Sequence, residues 1–157
     1  ESPSASTLWC GQCIGLDRTN MDPEASSQHY FGGTWNFFGP DRQNSRITQV
    51  LEVIWADEQP GDWYELPAVM GALYLFHKSF YLRLGGLDLL RSWGGDEAML
   101  SLKFWLGGGN VRMLKGLRAG HRFWTHHNER MAHISPTDGV LNKILLIHTL
   151  LPPDLAQ

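Results

Sequence analysis

Two adjacent carboxylates, Asp96 and Glu97, stand between Gly94-Gly95 and an almost wholly apolar run that Gly107, Gly108 and Gly109 bring to a stop. One reading is capping. Acids in the first turn of a helix complement its dipole by about 0.3–1 kcal/mol, and Asp is a favourable N-cap. The other reading is chemical. Carboxylates at the tip of a buried helix, after Trp93 and two glycines, can take a proton from an alcohol or hydrogen-bond sugar hydroxyls. His121, His126, His127 and His133 form a second group, but they lack the spacing of a helical zinc motif, so a metal hydrolase is the weaker alternative. Cys10 and Cys13 form a third, in LWCGQC. A C-x-x-C redox pair needs a helix after it to lower the thiol pKa. Here IGLDRTNMDPE reads as a short strand and a Pro-bearing turn, so two structural thiols are expected, with redox chemistry or half a zinc site as alternatives.

The elements that must position these groups follow from patterning. Residues 1–7 read as a frayed end, CIGLD as a strand and Thr19 to Asn44 as loop. ITQVLEVIWA fits either a helical face or a buried strand. LPAVMGALYLF opens with Pro67 and leaves Gly71 and Ala72 bare of bulk, which marks a place of close approach to the backbone. KSFYLR predicts a short helix closed by Gly85 and Gly86. A helix from Asp96 to Leu106 is interrupted only by Ser101 and Lys103, so it is largely buried. NVRML is a strand, GLRAGHRFWTHHNERMAHISP a His-rich loop, and TDGVLNKILLIHTLL a final helix capped near Thr137 or Asp138 and ended by Pro152. Strands and helices alternate, which predicts an α/β fold.

Composition narrows the partners. Charged residues make up 18% and the formal net charge is -3, with no basic block, which disfavours nucleic acid. No apolar run reaches the length of a membrane-spanning helix. Seven Trp is a high count, and Trp rarely hides completely, so some should line a cleft or an interface. The chain opens with Glu in a polar stretch, and it is expected to be a segment of a longer protein.

PAVMGALYLFHKSFYLRLGGLD, WGGDEAMLSLKFWLGGG and RAGHRFW, in that order, resemble the C-terminal half of the catalytic domain of polypeptide N-acetylgalactosaminyltransferases and related family 2 glycosyltransferases. The resemblance covers Leu66 to Trp124 well and runs without a gap from Trp93 to Trp124. It implies the C-terminal portion of a GT-A, Rossmann-like domain over residues 1–157, lacking the nucleotide-binding half with its Asp-x-Asp motif. It also implies transfer of a sugar from a UDP-sugar or related donor to a glycan, protein or lipid-linked acceptor, with Mn²⁺ or another divalent metal. By the same resemblance Asp96 contacts the donor sugar and Glu97 takes the place of the catalytic carboxylate of inverting relatives. Gly71 and Ala72 pack against the sugar, Trp93, Gly94 and Gly95 line its site, His121 is a metal ligand, and His127 lies on the loop closing over the nucleotide.

The pattern also departs from the family. The acid pair is Asp-Glu rather than Glu-Asn or Glu-Asp, and Trp124 replaces an Arg. Gly107 and Gly116 replace cysteines, from which a cytoplasmic location is expected, with the Golgi lumen as the alternative. A non-catalytic, glycosyltransferase-like binding module is the other functional expectation.

Overall fold

The computed structural model describes residues 4–16, 19, 21–36, 51–123 and 135–153. The central strand, β1 (Thr7–Leu16), pairs in parallel with the long β7 (Asn110–Arg122), from Thr7 opposite Asn110 to Leu16 opposite Arg122. A bulge between Gly11 and Gln12 shifts the register partway along. On its other edge β1 carries two antiparallel partners end to end, β6 (Tyr74–Phe76) along Leu8–Cys10 and β2 (His29–Tyr30) along Cys13–Ile14. β5 (Trp63–Glu65) closes the far side of β7, and β3 (Gly33–Asn36) pairs antiparallel with β4 (Glu52–Trp55) as a separate two-stranded sheet. Among the described residues three α-helices accompany the strands: α1 (Lys78–Arg83), α2 (Asp96–Leu106) and α3 (Pro136–Leu150).

The core lies between one face of the large sheet and α1 and α2. Leu8, Cys10, Val111 and Met113 from the sheet meet Phe80, Leu100 and Phe104 from the helices. A second cluster joins Ala98 and Met99 of α2 to Leu146 of α3, with Val53 and Ala68. Burying each of these large side chains contributes about 1.5–3 kcal/mol.

Several expected elements change. β1 begins at Thr7, which is buried, so the ordered strand reaches into the stretch read as frayed. GLRAGHR continues β7 rather than forming a loop. Exposure alternates along it, with Leu117, Ala119 and His121 half-buried and Gly116, Arg118, Gly120 and Arg122 exposed. That period of two was obscured by two glycines and two arginines. Thr19 to Asn44 contains β2 and β3, and Glu52–Trp55 is strand. α3 starts two residues earlier than expected: Ser135 is its N-cap, accepting from Asp138 N, with Pro136 in the first turn. α2 spans Asp96–Leu106 as predicted. Its N-cap is Gly95, in the left-handed region at φ 84°, so neither acid is the cap.

Candidate functional site

The segment from Leu66 to Tyr74 crosses between the sheet and α2, and polar contacts hold it at almost every residue. Leu66 N–H donates to Val111 O at 2.9 Å, and Ala68 exchanges two backbone hydrogen bonds with Gly33. The Pro67 carbonyl accepts from the indoles of both Trp35 and Trp105, each at 3.1 Å. Ser101 is fully buried and bridges the segment to the acidic tip: its hydroxyl accepts from Val69 N–H at 2.9 Å and donates to the Glu97 carbonyl at 2.6 Å. An interruption of an apolar helix is thereby explained.

Gly71 follows with φ 130°, a conformation that only glycine adopts without strain. A side chain there would also reach Cys13 Cβ at 3.3 Å and the Trp55 ring at 3.6 Å. Its carbonyl accepts from the Tyr74 hydroxyl at 2.9 Å. Ala72 is the next residue of the same turn, where it is exposed.

At the tip of α2, burial is the largest influence on Glu97, and the neighbouring Asp96 carboxylate the next. Together they push its carboxyl up to about 7, against weaker downward pulls from a backbone hydrogen bond and then from Lys143. Asp96 Oδ1 is buried with no hydrogen-bond partner. The Tyr74 hydroxyl is pushed well up, chiefly by burial and then by Glu97, with Cys10 and Asp96 adding to it. The two acids and Tyr74 therefore share one poorly solvated neighbourhood. Trp93, on the loop leading into α2, is half-exposed.

His121 lies near the end of β7, opposite Gly15. In parallel arrangements the carboxyl ends of strands are where ligands gather. Its ring meets Phe123 edge-on at 4.6 Å, and Phe123 joins Tyr30 at 5.2 Å and Trp55 at 6.1 Å. Tyr30 and Trp55 are 4.4 Å apart. Ring contacts thus link Tyr30, Trp55, Phe123 and His121, and the Gly71 turn stands beside the Trp55 ring. Sequence reasoning does not single out Tyr74, Trp55 or Lys143, and marks Ser101 only as an interruption of the apolar helix. A phenol two residues after Gly71-Ala72, inside an apolar run, was the available signal for Tyr74.

His127 lies outside the described residues, as do His126, His133 and Trp124. Among the described residues no three of His, Cys, Asp and Glu gather as metal ligands would, so His121 supplies one imidazole and the described set does not by itself fit a metal. Cys10 and Cys13 are free and buried within β1. Burial pushes Cys10 up to about 11 and raises Cys13 as well. Both thiols sit in the middle of a strand rather than at the start of a helix, and their raised pKa values fit structural thiols.

No family model matches the chain. It is 35% identical over 116 residues to polypeptide N-acetylgalactosaminyltransferase 10 of Homo sapiens, covering 73% of this chain and 18% of that protein. It is 31% identical over 108 residues to N-acetylgalactosaminyltransferase 6 of Drosophila melanogaster, covering 68% of this chain and 15% of the relative. The chain therefore spans less than a fifth of these relatives' length. Its fold superposes on a crystal structure of GalNAc-T7 with UDP, GalNAc and Mn²⁺ at TM-score 0.60, covering 92% of this chain and 27% of the other at 17% identity. Among the described residues no helix is long and apolar enough to cross a membrane. Sequence over about 70% of its length and fold over nearly all of it agree: the homologues of this chain are polypeptide N-acetylgalactosaminyltransferases, and its fold matches part of a GT-A domain.

Proposed function

We propose that these residues form the sugar-facing part of a nucleotide-sugar glycosyltransferase, with a UDP-sugar as donor. The observation that carries this reading is the convergence of Asp96, Glu97 and Tyr74 beside the Gly71 turn, where a carboxyl is poised near neutrality. Glycosyl transfer needs a group that takes the acceptor hydroxyl's proton as the bond to the sugar forms, and groups that hold the sugar in place. A carboxyl titrating near the working pH is suited to the first task. Glu97 takes that proton in its ionised form. Asp96, whose buried oxygen lacks a partner, accepts from a hydroxyl of the donor sugar. Gly71 and Ala72 leave room for the sugar against backbone, while Trp93, Gly94 and Gly95 border it.

A divalent metal, when bound, would offset charge on the departing diphosphate. His121 is proposed as one of its ligands, the remainder lying outside the described residues, and no step here runs through it. His127 keeps its proposed place on the nucleotide side.

The test is turnover of UDP-N-acetylgalactosamine, followed as UDP release with Mn²⁺ present, in the protein that carries these residues. Glu97→Gln and Asp96→Asn should each lower kcat by about 100-fold or more while thermal unfolding stays cooperative. Undiminished turnover in both variants would remove the acids from the mechanism and favour a binding module instead.

A further inference from the structure

The loop that carries Trp93 and launches α2 has an unusual backbone. Ser92 has φ 53°, Gly94 φ 105° and Gly95 φ 84°. Left-handed geometry at Ser92 is disfavoured in a non-glycine residue and persists only where the surroundings impose it. What imposes it comes from α3. Asn142 is fully buried, and its carboxamide makes three hydrogen bonds to this loop. Oδ1 accepts from Arg91 N–H at 2.8 Å, while Nδ2 donates to Arg91 O and to Gly94 O, both at 2.8 Å. One N–H and two carbonyls admit a single orientation of the amide. At Gly95 a side chain would come within 3.6 Å of Asn142 Cβ, so α3 packs directly on the turn.

We propose that Asn142 is the positioning residue of this site: its carboxamide locks the Arg91–Gly95 loop in the conformation that sets Trp93 and the first turn of α2 in place. The functional weight of this inference rests on the donor-site role proposed above for Trp93 and the acids. No other uncharged side chain of this size pairs one backbone donor with two acceptors. An aspartate keeps the acceptor and loses both donors, and a leucine fills the space and makes none of the bonds.

Lys143 supplies the comparison. It is the next residue on α3 and also buried, yet its ammonium bonds Leu51 O at 2.8 Å and so holds a different segment. Asn142→Leu, Asn142→Asp and Lys143→Met are compared with the unsubstituted 157-residue chain by amide hydrogen exchange, Trp93 indole resonances and the carboxyl titration of Glu97. Glu97 faces Asp96 on its own helix, Tyr74 on β6 and Lys143 on α3, with Glu52 of β4 behind Lys143.

In Asn142→Leu the Arg91 amide should exchange at least about tenfold faster while β7 amides keep their protection. The Glu97 midpoint should fall by about one unit as water reaches the tip. In Asn142→Asp the Arg91 amide stays protected but the Trp93 resonances shift. Lys143→Met leaves both the Arg91 amide and Trp93 as they were. Should Asn142→Leu fail to fold, Asn142→Asp decides through Trp93. Unchanged Arg91 exchange in the leucine variant, or unchanged Trp93 in the aspartate variant, overturns the proposal. Titration of the same variants with UDP-N-acetylgalactosamine separates the two readings: a released loop with unaltered donor affinity supports the positioning role and removes the donor-site role of Trp93.

Discussion

The two ends of α2 obey different rules. At its C-terminus three successive glycine N–H groups each find a carbonyl. Gly107 N–H donates to Lys103 O at 2.9 Å, Gly108 N–H to Trp105 O at 3.2 Å and Gly109 N–H to Phe104 O at 2.8 Å. Lys103 itself is buried and donates to Gly86 O at 2.7 Å, tying α2 to the turn after α1. At the N-terminus the cap is a glycine with no side chain to offer, Asp96 keeps a buried oxygen without a partner, and Glu97 is held away from its ordinary ionisation. Native proteins satisfy nearly all buried polar groups, so an end that does not is maintained at some cost to stability. One end of the helix anchors the fold, and the other carries the acids proposed above to meet a ligand.

The contrast breaks most visibly at the anchored end. Phe104 is fully buried and lies 5.0 Å from the ring of Phe80 and 6.1 Å from that of Phe76. Phe104→Ala should lower unfolding stability by about 3–5 kcal/mol, read from urea denaturation. A loss under about 1 kcal/mol would mean that the C-terminal end of α2 is not where the fold is held.

At the other end the sign reverses. Glu97 has its carboxyl raised from the ordinary 4.5 to about 7 in the folded chain. Between those values the native state holds more of the proton than the unfolded state does, so stability falls as pH rises through this window. Glu97→Gln removes the titration. It should make the variant more stable than the parent above pH 7, by about 2 kcal/mol once partial solvent access is allowed for, and flatten the pH dependence between 4.5 and 7. Unfolding curves at pH 5 and pH 8 check this. A variant that loses stability at pH 8 would show that the Glu97 charge is welcome in the fold.

These two ends were not equally legible in the sequence. The C-terminal stop was plain from Gly107-Gly108-Gly109, and both limits of α2 follow from where its apolar run begins and ends. The α/β class also follows from alternating patterns. β1 was harder: its interior holds Gly11, Gln12 and Gly15, a poor strand by propensity, and it forms because partners flank it on both edges. β7 was truncated at Leu114 for the related reason that Gly116 and Gly120 read as loop. Of the proposed site, Asp96, Glu97, Gly71 and His121 can be named from the sequence as candidates, but their environment cannot. The burial that raises Glu97 arises in the folded chain, and part of its relief comes from Lys143, more than forty residues downstream. Such tertiary contributions leave no local periodicity to read.

The finest test concerns that relief. Lys143 faces both Glu52 and Glu97, and burial lowers its own pKa from the usual lysine value. Removing a nearby cation disfavours the carboxylate, so Lys143→Met should raise the Glu97 midpoint further, by about half a unit, equivalent to about 0.7 kcal/mol. Burial and Asp96 remain, so the starting value stays well above that of a free glutamate. The pH window over which stability declines then extends upward by the same half unit. Carboxyl resonances of Glu97 followed from pH 4 to pH 9 measure it directly. A midpoint that falls instead would mean that the lysine acts mainly as bulk keeping water from the acids, because only added hydration lowers a carboxyl that has just lost its counter-charge.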